Sequence, residues 1–279
     1  MAIHLVAIDL DGTLLNSSKE ITQTTSFILD EVRRRKSVHL VLASARPPRS
    51  VMPFYRSLKL DTPMINYNGA LVYDPSSSRV VMHRPIAAKT ARRIVELARE
   101  IDSQVFVSAE ILDRWYTDAV SEQYFTATAL THRPDMVAPI GQWLIEPVTK
   151  LLLLGPDEML LRLAAAVQQE FPYQVSMVQT EGNLLQIMHA TVSKAQALRV
   201  VAGELGVSRE EVMAIGDNAN DVPMLRWAGV AVAMANAAPS ALEAADFVTD
   251  HHDADGAAKA IHRLLLKGLP LSKAAAGSR

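Results

Sequence analysis

Ile3-His4-Leu5-Val6-Ala7-Ile8-Asp9-Leu10-Asp11-Gly12-Thr13 decides the fold and points to the site. A short apolar run bounded by a glycine has the pattern of a buried strand. Two carboxylates two residues apart at the end of such a strand are costly unless they hold a cation or do chemistry. In an open α/β sheet, ligands bind at the carboxyl ends of the strands. The pair Asp9 and Asp11 therefore predicts an active site that uses a metal ion.

Working outward, strands and helices alternate. Thr22 caps a helix running to about Lys36. Val38 to Leu42 is a β-branched strand ending at Ser44-Ala45-Arg46, and a helix after Pro47 and Pro48 reaches about Leu58. Met64 to Tyr67 is a further strand, ended by Asn68-Gly69 and followed by a hairpin turning at Asp74 to Ser78. The register changes near Arg84. Residues 84–188 read as a self-contained α/β block, with helices at Ala87 to Ile101 and Pro156 to Phe171 among short strands. The first pattern then resumes: a helix over Ala195 to Leu205, a strand over Val212 to Ile215, a strand over Val230 to Ala233 and a closing helix over Gly256 to Leu266. The fold class is α/β, a doubly wound Rossmann-like parallel-sheet core with an inserted α/β cap domain. The core comprises residues 1–83 and 189–271, the cap 84–188. Residues 272–279, small and polar, are expected to form a disordered tail.

The 279 residues are 49% hydrophobic, enough for two compact units, and the net charge of −2 does not suggest a polyanionic partner. Aromatics make up 5% of the chain, which argues against a base-stacking surface. Nucleic acid and membranes are thus not expected as partners. The absence of cysteine removes disulfides, thiolate metal sites and a cysteine nucleophile, and suits the cytoplasm. No apolar run is long enough for a bilayer, and the N-terminal run is too short for a signal sequence.

Four segments carry polar groups that a parallel sheet would bring together: Asp9 and Asp11, Ser44, Lys194, and Gly216-Asp217-Asn218-Ala219-Asn220-Asp221. The set suits phosphoryl transfer, which needs an in-line nucleophile, cations for the equatorial oxygens and a proton donor for the leaving oxygen. Asp9 is the candidate nucleophile and Asp11 the acid and base. Asp9, the Asp11 carbonyl and Asp217 supply the oxygen ligands that Mg2+ prefers. The Ser44 hydroxyl and Lys194 ammonium hold phosphoryl oxygens, Gly12 allows a sharp turn, and Thr13 orients the loop.

These motifs resemble the haloacid dehalogenase-like superfamily, and within it the Cof-type branch of sugar-phosphate phosphatases. Asp9 to Leu14 matches the first motif, and Gly216 to Leu225 matches the fourth. Asn68-Gly69-Ala70, Lys194 and Met234-Ala235-Asn236-Ala237 lie between and after them in the branch's order. The resemblance implies magnesium-dependent hydrolysis of a small phosphomonoester, a sugar phosphate or phosphorylated cofactor, through an aspartyl phosphate. It implies phosphate contacts from Ser44, Lys194, Asn220 and the backbone near Leu10 and Ala45. Asp221 would position Lys194 or a metal-bound water. The cap would close over the core site. Three positions that usually carry glycine hold Ala45, Ala195 and Ala235, and an asparagine is common where His251-His252-Asp253 stands.

Other readings stay open beside these. Arg46 serves either as a substrate contact or as an ion-pair partner in the core loop. Asn68 is a turn residue with a substrate-side role in view. Ser44 is an N-cap as well as a phosphate contact. His251-His252-Asp253 has metal-ligand composition, but a solvated loop is the expectation. Trp115, Tyr116, Tyr124 and Phe125 are expected mostly in the cap core. A dehalogenase, a phosphomutase and a non-catalytic phospholigand-binding protein are the rival functions. The same sequence does not separate monomer from homodimer.

Overall fold

The apolar run at the head of the chain is β1 (Leu5–Ile8), buried along its whole length. The computed structural model describes residues 2–36, 38–120, 129, 131–180, 182–269 and 272–273. Two compact units divide the chain: Met1–Met82 with Ser193–Arg279, and His83–Val192.

After β1 come α1 (Gln23–Lys36), β2 (His39–Leu42), α2 (Pro48–Ser57) and β3 (Met64–Asn66). The Thr22 hydroxyl accepts from the Thr25 amide at 3.0 Å, which caps α1 as expected. The basic run near the end of α1 is largely paired one turn back: Arg33 and Arg34 with Asp30, Arg35 with Glu31. Next are β4 (Leu71–Asp74) and β5 (Arg79–His83), which with β3 form a small three-stranded sheet.

The inserted unit contains α3 (Ala88–Ile101), β6 (Phe106–Ile111), β7 (Arg114–Thr117), β8 (Met136–Val137), β9 (Lys150–Leu154), α4 (Asp157–Glu170), β10 (Val175–Thr180) and β11 (Leu184–His189). Its six strands run in the order β10-β11-β9-β6-β7-β8. Alternation along β6, β9 and β11 puts Val107, Ala109, Leu151, Leu153, Leu185 and Ile187 in one core with Ile94, Ala98, Leu160 and Leu163 of α3 and α4. The chain leaves this unit at Val192–Ser193, later than the sequence reading near 189. The Ala190 amide bonds to the Gln174 carbonyl and the Val192 amide to the His189 carbonyl, which ties the turn to β11.

The returning segment builds α5 (Lys194–Glu204), β12 (Val212–Gly216), α6 (Val222–Trp227), β13 (Val230–Ala233), α7 (Pro239–Ala244), β14 (Phe247–Val248), α8 (Gly256–Ile261) and β15 (Ser272–Lys273). The main sheet has the order β15-β14-β13-β12-β1-β2 and is parallel except for β15. Period-two alternation sends Val6, Ile8, Leu40, Leu42, Met213 and Ile215 to the face covered by α1 and α8. Leu5, Ala7, Val41, Val212 and Ala214 face α5, α6 and α7. Burial on both faces explains why these strands read as continuous apolar runs. The architecture is the doubly wound α/β core with an inserted α/β unit.

Two sequence expectations need correction. Ser272 and Lys273 are not in an unstructured tail: they pair antiparallel with Val248 and Phe247, because β14 would otherwise leave an open edge. Residues 274–279 lie outside the described residues. The closing helix does not run unbroken to Leu266, since α-helical geometry stops at Ile261 and a π-turn over His262–Leu266 follows. Among the described residues no helix is long and apolar enough to cross a membrane.

Gly69 ends the turn after β3 with φ +100°, and a Cβ there would lie 2.3 Å from the Ser193 carbonyl oxygen. Ser193 is the N-cap of α5, its hydroxyl accepting from the Gln196 amide at 3.2 Å. The missing side chain thus seats the β3–β4 turn against the start of the helix that begins with Lys194. Gly69→Ala is expected to destabilise the fold by at least about 1 kcal/mol, read as a lowered thermal midpoint.

Candidate active site

Asp9 follows β1 directly, and Asp217 follows β12, the strand paired with β1. Since β2 flanks β1 on its other side, the chain winds away in both directions from this point, where open α/β sheets form ligand crevices. The Asp9 amide continues the ladder by bonding to the Ile215 carbonyl at 3.1 Å, which aligns the two strand ends.

Lys194, the first residue of α5, is fully buried. Its Nζ donates to Asp9 Oδ1 at 2.5 Å and to Asp221 Oδ1 at 2.6 Å. Asp221 Oδ2 accepts from the amides of Asp217 and Asn218, both at 3.0 Å. Asp221 thereby shapes the loop after β12 and holds the lysine in place. A Cβ at Gly216 would lie 2.6 Å from the Asp221 side chain, so the glycine makes room for that carboxylate. The Thr13 hydroxyl donates to Asp217 Oδ1 at 2.9 Å. Gly12 has φ +80°, and a Cβ there would stand 2.4 Å from Asp217 Oδ2, so only glycine lets the two loops meet this closely.

The electrostatics follow from the crowding. Burial, with the charges of Asp221 and Asp217, outweighs the pull of Lys194 and pushes the Asp9 carboxyl up to about 8. Burial also raises Asp217, partly offset by the Thr13 hydrogen bond and reinforced by Asp221. For Lys194, burial works against the charged form, but Asp9 and Asp221 overcome it and hold the ammonium above its ordinary value. Carboxylate oxygens of Asp9, Asp217 and Asp221 lie within 4.8 Å of one another. Three carboxyl groups against one ammonium form a set of oxygen donors that resists carrying its full negative charge unaided, which fits a small divalent cation able to displace the Asp9 proton. Asp221 already receives the lysine and two amides, so Asp9 and Asp217 are the carboxylates left to take a metal.

Asp11 is turned to a different environment. Arg46 Nε and Nη2 grip its two oxygens at 2.7 and 2.6 Å, and Lys19 Nζ adds a contact at 2.8 Å. Burial would raise the Asp11 carboxyl, but hydrogen bonds from Arg46 and Lys19 outweigh it and hold it below the usual range. Of the two roles open to Arg46, the structure displays the ion pair. Ser44 is buried, and its hydroxyl accepts from the Arg46 amide at 3.1 Å. It does not cap α2, whose N-cap is Pro47. Ala45, between them, is exposed. Leu10 is buried, and its carbonyl accepts from the amides of Thr13, Leu14 and Leu15, closing the tight loop after the nucleophile candidate. Asn220 Nδ2 donates to Asn68 Oδ1 at 2.9 Å, which joins the loop after β12 to the left-handed turn at Asn68 (φ 57°). All sequence-selected core residues thus belong to one linked set of loops. Lys19 was missed: its only signal is a lone lysine in the loop after Leu15, and its positive φ of 61° is invisible in sequence.

In the inserted unit, Trp115 borders a cavity of about 360 Å³ together with Phe106, Ser108, Thr117, His132 and Arg133. Tyr116 stacks on Trp143 with centroids 6.1 Å apart, at the edge of that unit's core. Tyr124 and Phe125 lie outside the described residues.

Residues 6–261 match the sequence profile of the haloacid dehalogenase-like hydrolase family. The chain belongs to that family, in its Cof-type branch. This haloacid dehalogenase-like chain is 33% identical over 270 residues to YxeH of Bacillus subtilis (strain 168), covering 94% of its own length and 98% of the relative's. It is 28% identical to the 5-amino-6-(5-phospho-D-ribitylamino)uracil phosphatase YitU of the same organism, covering 92% and 95%. Among solved structures, a haloacid dehalogenase-like hydrolase from Bacteroides thetaiotaomicron superimposes with a TM-score of 0.86 at 28% identity, covering 94% of this chain and 99% of the other.

Two outcomes follow from the buried charges of this hydrolase. Lys194→Met leaves facing carboxylates uncompensated and is expected to cost about 3–5 kcal/mol in chemical denaturation. Native Asp9 keeps its proton up to about 8, whereas the unfolded side chain, near 3.8, has lost it. Without divalent metal, the contribution of Asp9 to stability is therefore expected to be fully present below the unfolded value and to be lost as pH rises through this window. Thermal midpoints of Asp9→Asn protein should be higher at pH 8 and should flatten this decline.

Proposed function

We propose that the protein is a magnesium-dependent phosphatase of small phosphomonoesters working through an aspartyl phosphate. The observation that carries this reading is the fully buried Lys194 bridging Asp9 and Asp221, with Asp217 beside them. A binding protein needs cationic and amide contacts to phosphate; it does not need a carboxylate at the centre, where it repels the ligand.

Asp9 and Asp217, with the Asp11 carbonyl, would hold Mg2+. The cation neutralises charge on the phosphoryl oxygens and on the nucleophile when bound. Asp9 attacks phosphorus, the ester P–O bond breaks, and the Asp11 carboxyl gives its proton to the departing oxygen. Water then loses a proton to Asp11 and attacks the same phosphorus. The bond to Asp9 breaks, phosphate leaves, and both carboxyl groups return to their starting forms. Lys194 keeps the Asp9 oxygen in place and meets phosphoryl charge, while Ser44, Asn220 and the Leu10 and Ala45 amides complete the cradle. Asp11 acts as an acid only when it carries a proton, so the reading requires substrate to draw Arg46 and Lys19 away from it. Both cations are long side chains at a partly open edge, with 25% and 60% of the side chain accessible, which suits that transfer.

The phosphatase names carried by relatives such as YitU support the reaction class. A panel of phosphorylated sugars and cofactors, assayed for phosphate release with and without Mg2+, tests it. Wild-type protein should release phosphate only with the metal, and Asp9→Asn should lower turnover at least about a thousandfold. Turnover of Asp9→Asn protein at the wild-type rate would remove the nucleophile from the scheme.

A further inference from the structure

The segments Met234-Ala235-Asn236-Ala237 and His251-His252-Asp253 have no part in the chemistry above. Both follow strands of the main sheet, β13 and β14, at the edge where Asp9 and Asp217 emerge. His251, His252 and Asp253 bring possible ligand atoms within 4.8 Å of one another, but the contacts they make are within the protein: the His251 ring nitrogen accepts from the Asp253 amide, and Asp253 takes the Ser17 amide and hydroxyl at 2.7 Å each. His252 Nδ1 lies 2.9 Å from the Leu15 carbonyl, which fixes the proton on that nitrogen. The His252 amide donates to Asn236 Oδ1 at 3.1 Å, and Asn236 Nδ2 donates to the Gly12 carbonyl at 2.8 Å. One asparagine thus uses both ends of its amide to link two strand-end loops to the loop that carries Asp9 and Asp11.

The Gly12 carbonyl belongs to the Gly12–Thr13 peptide. That peptide decides where the Thr13 hydroxyl points, and the hydroxyl holds Asp217 Oδ1 at 2.9 Å. Glycine at φ +80° offers little resistance to rotation of the peptide that follows it. Within the loop, the N–H of that peptide reaches the Leu10 carbonyl only at 3.4 Å, so the shorter bond from Asn236 Nδ2 to its oxygen, at 2.8 Å, is the firmer hold on its orientation. We propose that Asn236 is a positioning residue: it locks the Gly12–Thr13 peptide so that Thr13 presents Asp217 in register with Asp9. His252 serves as its support, holding the asparagine oxygen with its amide and the same loop, at Leu15, with its ring. The kinetic consequence rests on the phosphatase reading; the structural consequence does not.

The test uses the full chain. Asn236→Leu removes donor and acceptor at similar volume, and Asn236→Asp keeps the acceptor but loses the donor. Both should exchange the Thr13, Leu14 and Leu15 amides at least about tenfold faster than wild type in hydrogen exchange. In phosphate release, kcat should fall about tenfold with KM within about twofold, the signature of lost alignment rather than lost substrate binding. Thr13→Val should lower kcat similarly. The double variant Asn236→Leu/Thr13→Val should be no slower than the worse single, since both act through one hydrogen bond. Fully multiplicative losses would overturn the proposal. So would a lowered thermal midpoint with unchanged kcat and unchanged exchange at residues 13–15. If Asn236→Leu does not fold, Asn236→Asp carries the same comparisons. If wild-type protein releases no phosphate from any substrate, the phosphatase reading fails, and the exchange rates alone decide the role of Asn236.

Discussion

A single ammonium group with no access to water holds the core site together. Lys194 stands between Asp9 and Asp221, and each of those carboxylates belongs to a different strand-end loop. An isolated charge at such depth would be prohibitive, and so would either carboxylate without it. The three groups are stable only as a set, which requires β1, β12 and the first turn of α5 to end at one place. The glycines at 12, 69 and 216 are consequences of that requirement: each stands where a side chain would strike a neighbouring loop or the neighbour it is meant to admit.

The charge balance is deliberately incomplete. Burial pushes Asp9 up to about 8 and raises Asp217 as well, so the resting site strains against its own negative charge. On the proposed reading, a divalent cation and then a phosphoryl group would relieve that strain. Stability given up at the centre of the sheet would then be the counterpart of affinity for those ligands. Asp11, two residues on, has the opposite setting, held as a carboxylate by Arg46 and Lys19. The proposed roles need the reverse settings when the reaction begins, an ionised Asp9 and a protonated Asp11, so on that reading the incoming ligands would have to shift both groups.

Much of this was legible in the sequence, for physical reasons. Strands buried on both faces leave uninterrupted apolar runs, so β1, β2, β12 and β13 could be read directly, and the carboxylates after β1 and β12 marked the site. Lys194 was found because it opens the helix after the returning strand. Elements that depend on tertiary contact were not legible. The alanine-rich α7 has no marked periodicity, and β15 exists only because β14 has an edge to fill. The Arg46 fork on Asp11 was one of two open readings, and Lys19 gave no signal, because side-chain direction is set by folds of the loop rather than by spacing. His251-His252-Asp253 looked metal-like in composition; its hydrogen bonds to Leu15, Ser17 and Asn236 are directed by backbone positions that no local pattern encodes.

The order of strands also bears on how the chain is made. Leu5 pairs with His39 on one side and with Val212 on the other. The first neighbour emerges from the ribosome soon after β1, but the second follows only when the whole inserted unit has been translated. At roughly 5–20 residues per second, the nascent β1–β2 pair waits on the order of ten seconds or more with one flank bare. The intervening segment has its own sheet and core, so it has the means to collapse during that interval without recruiting the exposed flank. A premature stop anywhere before β12 would leave Asp9 on an unfinished sheet, a product for chaperones and proteases rather than a weakened enzyme.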